Sequence, residues 1–306
     1  MAYPTIYNST LVLYFLQYLQ TFGAYPRQLL DSNLAMDRVK IAYIAQLPNG
    51  ESLLLTALQE EPPVAVQQIE DRFGVERMLL AEHEMTFMAS LLYYFGVLTL
   101  NNATTSGGEA ILRIPNQVAR KLYAEQIQES LLPAVTEREE GQRAAQALYQ
   151  QGNPHPLCTF IEQHSFKVLA NRDYRWANEL TVKTAFLTML FNDTFYIIDS
   201  EPALQRNYGD LLMMIRPEMR KYQLLDILLE FEYVSLSEAE LSGEQARALT
   251  IDAVKALPAM KKKLDEARRQ LQHYRALLQA KYGTILRLHT YAVVALGFER
   301  LVWEEV

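Results

Sequence analysis

The sequence predicts an α/β chain in two parts, a mainly helical first half followed by a mixed β-sheet flanked by helices. Three observations carry this expectation. Residues 1–133 hold long apolar-periodic runs with helix stop signals. The second half alternates helix-like and strand-like segments. A polar stretch ending in Gly-Asn-Pro-His-Pro separates the two. With 306 residues, half of them hydrophobic and 21% charged, the chain is long enough for two domains and too apolar for a disordered one.

In the first half, residues 1–47 read mainly as helix. "STLVLYFLQYLQTFG" starts at the cap-type residues Ser9 and Thr10 and stops at Gly23. "PPVAVQQIEDRFG" (62–74) reads as a further helix with proline in its first turn, and "AEHEMTFMASLLYYFG" (81–96) as another ending at Gly96. "VLTLNN", the turn cluster "TTSGG" and "EAILRIP" then form a hairpin. Helices followed by a hairpin make a winged-helix-like module. "NQVARKLYAEQIQESLLP" (116–133) adds a helix closed by Pro133. The domain boundary is expected between 134 and 156, giving domains 1–149 and 150–306.

The second half begins with a helix at 174–191, followed by strands at 194–202, 208–215 and 222–234. A long helix over 257–283 stops at Gly283, and strands over 285–297 and 298–306 close the chain. The helix repeats Met260, Leu264, Ala267, Leu271, Tyr274 and Leu278 at spacings of three and four, which marks a core stripe. Its basic residues, among them Lys261, Lys262, Lys263, Arg268, Arg269 and Arg275, form either a solvated face or a phosphate path.

The composition excludes several classes. The net charge of −7 argues against polyanion binding by the whole surface, while leaving room for a local basic groove. Cys158 is the only cysteine, so there is no internal disulfide and no cysteine-rich zinc site, which suits a reducing, cytoplasmic setting. It reads as a small buried residue. No apolar run approaches a membrane span, and no signal peptide or membrane partner is expected. Phosphate-loop, GxGxxG, HExxH and GxSxG motifs are absent, and the histidines lack metal-ligand spacing.

What remains is a set of carboxylates. In "LLEFEYV" (228–234), strand alternation puts Leu229, Phe231 and Tyr233 on one face and Glu230 and Glu232 on the other, with Leu228 and Val234. Apolar residues on both faces make this a strand buried on both sides. Asp210 lies on the preceding strand, and consecutive strands are usually neighbours, so Asp210 and Glu230 can converge. Two oxygen ligands on adjacent strands suit Mg²⁺ or Mn²⁺ completed by waters and substrate phosphate. The alternative is a solvated edge, or pairing with lysine or arginine. Glu179 shares a helix stripe with Val182, Phe186 and Leu190, and is either a boundary residue or a site residue.

These segments carry a resemblance. "DYRWANELTVKTAFL", "YIIDSE", "YGDLLMMI", "LLDILLEFEYV" and "YAVVALGFERLVW" follow the order found in the PD-(D/E)xK nuclease superfamily. More narrowly, they resemble the nuclease-like C-terminal domain of bacterial AAA-ATPase-like proteins. The resemblance covers roughly 150–306 and implies a central mixed sheet flanked by helices. It implies a helix glutamate at Glu179, metal ligands at Asp210 and Glu230, an E-x-K pair, and a positioning glutamine at Gln270 in "ARRQLQHY". Residues 1–133, through "MASLLYYFGVLTL" and "ILRIPNQVARKLY", are similar to the region that follows the ATPase core in the same proteins. The ATPase part is absent, so an ATPase domain elsewhere or in a partner is implied. The chain departs from the family at Glu232, which stands at the lysine position of E-x-K and adds charge of the wrong sign beside a phosphodiester. Lys221 and Lys255 are candidates to replace that lysine, and Glu232→Lys is expected to create or strengthen cleavage.

The implied function is Mg²⁺- or Mn²⁺-dependent hydrolysis of DNA phosphodiesters, with Glu232 impairing it. The alternatives are a non-catalytic nucleic-acid-binding or assembly module on the same fold, or DNA binding by the winged-helix-like module alone. A homo-oligomer is compatible with each.

Overall fold

The computed structural model describes residues 9–23, 32–59, 63–70, 73, 84–171, 179–192, 194–199, 203–204, 207–208 and 211–306. The fold is mixed α/β, and the chain divides into two units, Met1–Gln126 and Ile127–Val306. Among the described residues, no helix is long and apolar enough to cross a membrane.

The first unit runs α1 (Ser9–Phe22), α2 (Ser32–Ala45), α3 (Gly50–Gln59), β1 (Val64–Val66), α4 (Met85–Tyr94), β2 (Thr99–Thr104), β3 (Ala110–Arg113) and the start of α5 (Gln117–Leu131). Its core takes Leu53, Leu54 and Leu58 from α3 and Phe87, Met88, Leu91 and Leu92 from α4. α3 starts so close to the end of α2 that a Cβ at Gly50 would lie 1.7 Å from the Ile44 carbonyl oxygen, so only glycine fits there. The three strands form an antiparallel sheet in the order β1-β3-β2, and Val64 and Leu100 both pair with Leu112. Where a helix is expected over 62–74, the described residues 63–70 hold β1 instead, and Val64 and Val66 alternate inward around Ala65, which is a strand pattern. The other side of the hairpin follows expectation.

The second unit continues with α6 (Val135–Gln151), then a helical run of α7 (His155–Phe160), a π turn (Ile161–Ser165) and α8 (Phe166–Asn171). α9 (Glu179–Leu190), β4 (Tyr196–Asp199), the short pair β5 (Ala203–Leu204) and β6 (Asn207–Tyr208), β7 (Leu211–Ile215) and β8 (Asp226–Val234) come next. α10 (Gly243–Ala248), α11 (Ile251–Ala256), α12 (Pro258–Tyr282), β9 (Leu288–Leu296) and β10 (Arg300–Glu305) complete it. Of the strand expected over 208–215, Asn207–Tyr208 pairs with Ala203–Leu204 and Leu211–Ile215 joins the large sheet, while residues 209–210 lie outside the described residues.

The division between units falls inside α5, before the expected 149/150 boundary. The reason is α6. It buries Ala144, Ala145, Leu148 and Tyr149, donates from the Tyr149 hydroxyl to the Leu190 carbonyl at 2.9 Å, and accepts from Leu225 N at the Tyr149 carbonyl at 3.0 Å. The Gly-Asn-Pro-His-Pro breaker ends a helix of the second unit rather than linking domains. Gly152 caps α6 at φ 65°, and its carbonyl accepts from the Tyr291 hydroxyl at 2.8 Å.

The five-stranded sheet has the order β10-β9-β8-β7-β4. β4, β7 and β8 run antiparallel in sequence, and the α10–α12 crossover then returns the chain parallel to β8 as β9. β8 is therefore central and is buried along nearly its whole length. On one face, the α12 stripe Met260, Leu264, Ala267, Leu271, Tyr274 and Leu278 packs with Leu228, Val234, Ala292, Val294 and Leu296. On the other face Phe186 of α9 meets Phe231, with ring centroids 4.9 Å apart.

Candidate functional site

β8 sorts its side chains by parity. The odd residue Phe231 meets α9, and the even residues Leu228 and Val234 belong to the α12 side. Glu230 and Glu232 share that even face, where the neighbouring residues of β9 are Ala292 and Val294. They are only 4% and 5% exposed. Two carboxylates this deep on the central strand need compensation, because burial disfavours their charge.

α12 supplies it for Glu232. The Lys263 Nζ lies 2.8 Å from Glu232 Oε2 and 3.1 Å from Glu266 Oε2. Lys263 stands one position before Leu264 of the core stripe, at the rim where a long side chain covers apolar surface and still reaches water, and it remains 27% exposed. The hydrogen bond to Glu232 holds the ammonium well above the ordinary lysine pKa; burial works against this, and Glu266 adds to the rise. The same lysine holds the Glu266 carboxyl below its ordinary value. Glu232 is therefore part of an ion pair, the lysine pairing that the sequence leaves open as an alternative.

Further along the same side of α12, Gln270 is half-buried and accepts a hydrogen bond from the Tyr274 hydroxyl at 3.3 Å. An open groove of about 410 Å³ runs past Glu266, Arg269, Gln270, His273 and Tyr274. Lys263, Glu266 and Gln270 recur at spacings of three and four, so they form one row beside the core stripe.

The other expected residues are placed as follows. Glu179 opens α9, is exposed, and belongs to the helix on the opposite face of the sheet from Glu230 and Glu232. Asp210 lies outside the described residues; it precedes Leu211, whose partner Leu229 precedes Glu230. Neither expected replacement lysine reaches Glu232. Lys255 donates to the Trp303 carbonyl at 2.7 Å, and Lys221 sits over the Tyr222 ring at 5.3 Å. The remaining cations of α12 are largely engaged as well. Arg268 contacts Asp265 at 2.5 Å and Glu304 at 2.6 Å, and Arg275 donates to the Val306 carbonyl at 2.6 Å. Cys158 is fully buried, and burial pushes its thiol up, with Glu162 adding to the effect, which suits an inert core residue.

Sequence reasoning missed two residues here. Lys263 was one basic residue among several, and only its place beside Leu264 on the helical stripe hinted at an inward reach. From the sequence Asp226 is simply a residue of the expected 222–234 strand. It is fully buried and accepts from Arg220, Ile215 N and Arg287 N, four bonds of 2.8–2.9 Å in all, so it pins the ends of three neighbouring segments.

Among the described residues, no group of three His, Cys, Asp or Glu side chains comes together as a metal site. Glu230 offers a buried carboxylate on the α12 face, and one or two carboxylates completed by waters is a donor set that Mg²⁺ accepts. Comparison with protein-family models, curated proteins and solved structures returns no match for this chain.

Proposed function

We propose that the second unit is a PD-(D/E)xK nuclease-like domain that hydrolyses phosphodiester bonds of DNA with Mg²⁺ or Mn²⁺. One observation carries the reading: Glu230 and Glu232 lie side by side, buried on the α12 face of the central strand, with a protein ammonium at the outer carboxylate. The mixed sheet with α9 on one face and α12 on the other supports it, as does the chain adjacency of Asp210 to Leu211 opposite Leu229. Glu230 and Asp210 would hold the ion, and its contribution when bound is polarisation of a phosphoryl oxygen and activation of water. Gln270 lines the groove beside the site, where an amide can donate to a phosphate or sugar oxygen. Glu179 is assigned no contact with the ion.

For the first unit, the sheet order β1-β3-β2 with a hairpin after α4 supports a winged-helix-like module. Its charge favours a protein partner over DNA. Residues 1–126 hold eight Lys and Arg against twelve Asp and Glu, and α4, "MTFMASLLYY", has neither Lys nor Arg.

The test is Mn²⁺ titration followed by electron paramagnetic resonance, with cleavage of a labelled DNA duplex as the second readout. Binding and cutting by the wild type, both lost in Glu230→Gln and Asp210→Asn, support the reading. Binding of DNA without metal uptake or cutting supports the non-catalytic alternative.

A further inference from the structure

We infer that Lys263, delivered from α12, is the catalytic cation of this site, replacing by position in space the lysine that β8 lacks at residue 232. The inference rests on the nuclease reading above. Three observations carry it. The ammonium lies 2.8 Å from the carboxylate that occupies the strand position, so the positive charge is within one hydrogen bond of where E-x-K would put it. An ammonium has three N–H donors. Two are directed to Glu232 and Glu266 among the described residues, and the side chain is 27% exposed, so the third can meet a phosphate oxygen arriving from solvent. Lys263 also lies one turn of helix from Glu266, which begins the groove containing Gln270, so a strand lying along that groove passes the ammonium.

In the reaction, a water oxygen adds to phosphorus and one P–O ester bond breaks. One hydrogen of the water ends on the leaving alcohol and the other on the new phosphomonoester. Lys263 keeps its proton throughout and donates to a non-bridging phosphate oxygen as negative charge grows there. Its hydrogen bonds to Glu232 and Glu266 keep it protonated, which suits a donor rather than a base. Glu232 then has a role of its own, holding the lysine stem at the end of the sheet.

A purely structural ion pair predicts something different, so the test separates the ammonium from the pair. In the 306-residue chain, Glu232→Gln with Lys263→Gln removes both charges and keeps a polar side chain at both positions. Glu232→Lys with Lys263→Gln puts the ammonium back, on the strand. The readouts are DNA cleavage with Mg²⁺ and Mn²⁺, Mn²⁺ binding, and thermal melting. The inference expects the double glutamine variant to lose about 10²–10³-fold in cleavage rate with Mn²⁺ binding retained, and the strand-lysine variant to recover most of it. Should the glutamine pair not fold, Glu232→Met with Lys263→Met serves, because buried ion pairs commonly tolerate apolar replacement. Cleavage at the wild-type rate in the charge-free variants would leave the nuclease reading standing and overturn the role of Lys263. So would cleavage by the strand-lysine variant and not by the wild type. No cleavage by any form would overturn the nuclease reading, and the inference with it.

Discussion

Arg220 closes on Asp226 as a fork, with Nη1 to Oδ2 at 2.9 Å and Nη2 to Oδ1 at 2.8 Å, at the point where β8 enters the sheet. Asp226 is fully buried, and it also accepts from Ile215 N at the end of β7 and Arg287 N just before β9. One carboxylate thereby ties the end of β7 to the starts of β8 and β9, and through β8 sets the height of Glu230 and Glu232. Replacing it leaves a guanidinium and two backbone donors without their acceptor. Asp226→Ala is expected to cost about 3 kcal/mol, the low end for breaking a buried pair, because Arg220 keeps 22% of its side chain in solvent. Urea unfolding of the full chain followed by circular dichroism measures it, and a loss under about 1 kcal/mol would show that water replaces the carboxylate.

Gly152 carries a second structural test. Its φ of 65° disfavours any side chain, and a Cβ would sit 2.8 Å from the Tyr291 hydroxyl that donates to the Gly152 carbonyl. Gly152→Ala should cost about 1–2 kcal/mol from the left-handed backbone alone, with further loss as Tyr291 moves. Gly152→Asn, which tolerates that backbone better, should separate the two contributions in the same melting experiment.

The placement of α6 makes the domain boundary testable. A fragment beginning at residue 127 keeps Ala145, Leu148 and Tyr149 over the second unit, whereas one beginning at 150 removes them along with the Tyr149 carbonyl that Leu225 N uses. The longer fragment should melt cooperatively and the shorter one at a clearly lower temperature. Equal melting would return the boundary to the breaker segment.

Much of this architecture was readable because each element answers a local rule. β8 declared itself through apolar residues on both faces, and α12 through its stripe, its Pro258 start and its Gly283 stop. β1 escaped because a three-residue strand is too short for its alternation to outweigh a helix-compatible composition. α10 and α11 escaped for brevity, although Ser242 with Gln245 is a full capping box and Thr250 caps the next turn. A glycine-proline breaker looks the same whether it ends a packed helix or joins two domains, so it does not by itself mark where a unit begins. At the site, alternation alone put Glu230 and Glu232 on one face. The partner of Glu232 could not be read, because 31 residues of chain separate it from Lys263 and only the docking of α12 decides which of several lysines arrives.

Acid–base behaviour offers an independent check on the packing of β10. Glu162, in the π turn, accepts from the Leu301 N–H and lies 3.7 Å from Arg300. Burial lifts its carboxyl above the ordinary 4.5, and the Leu301 donor and Arg300 pull it partly back. With the folded value raised, the folded state holds this proton more tightly than the unfolded one. Stability is therefore greatest below the unfolded pKa and falls as pH rises through the folded value. Glu162→Gln keeps the acceptor for Leu301 and removes the titration. Relative to that variant, the wild type should lose stability as pH rises above 4.5 and level off once the carboxyl is ionised in both states. A flat difference across that range would mean the group is better solvated than its burial implies.

The ion pair at the site reverses an expectation from the sequence. If Glu232 faced only other carboxylates, Glu232→Lys would relieve repulsion and raise activity. With Lys263 at 2.8 Å, the single change instead sets two ammonium groups against each other and deprives Lys263 of its first hydrogen-bond acceptor. Like charges at 4 Å repel by roughly 4 kcal/mol at an effective dielectric of about 20. Both side chains are long, and Lys263 is already 27% exposed, so part of this is relieved by movement into water. The expected result is a loss of roughly 1–3 kcal/mol in stability. Adding Lys263→Gln removes the second ammonium and should restore melting to near the wild-type temperature. That recovery distinguishes charge repulsion from a simple failure of lysine to fit beside Val294. If Glu232→Lys alone melts at the wild-type temperature, the two side chains do not meet in solution, and α12 sits differently on the sheet from the packing of Leu264 and Ala267 described above.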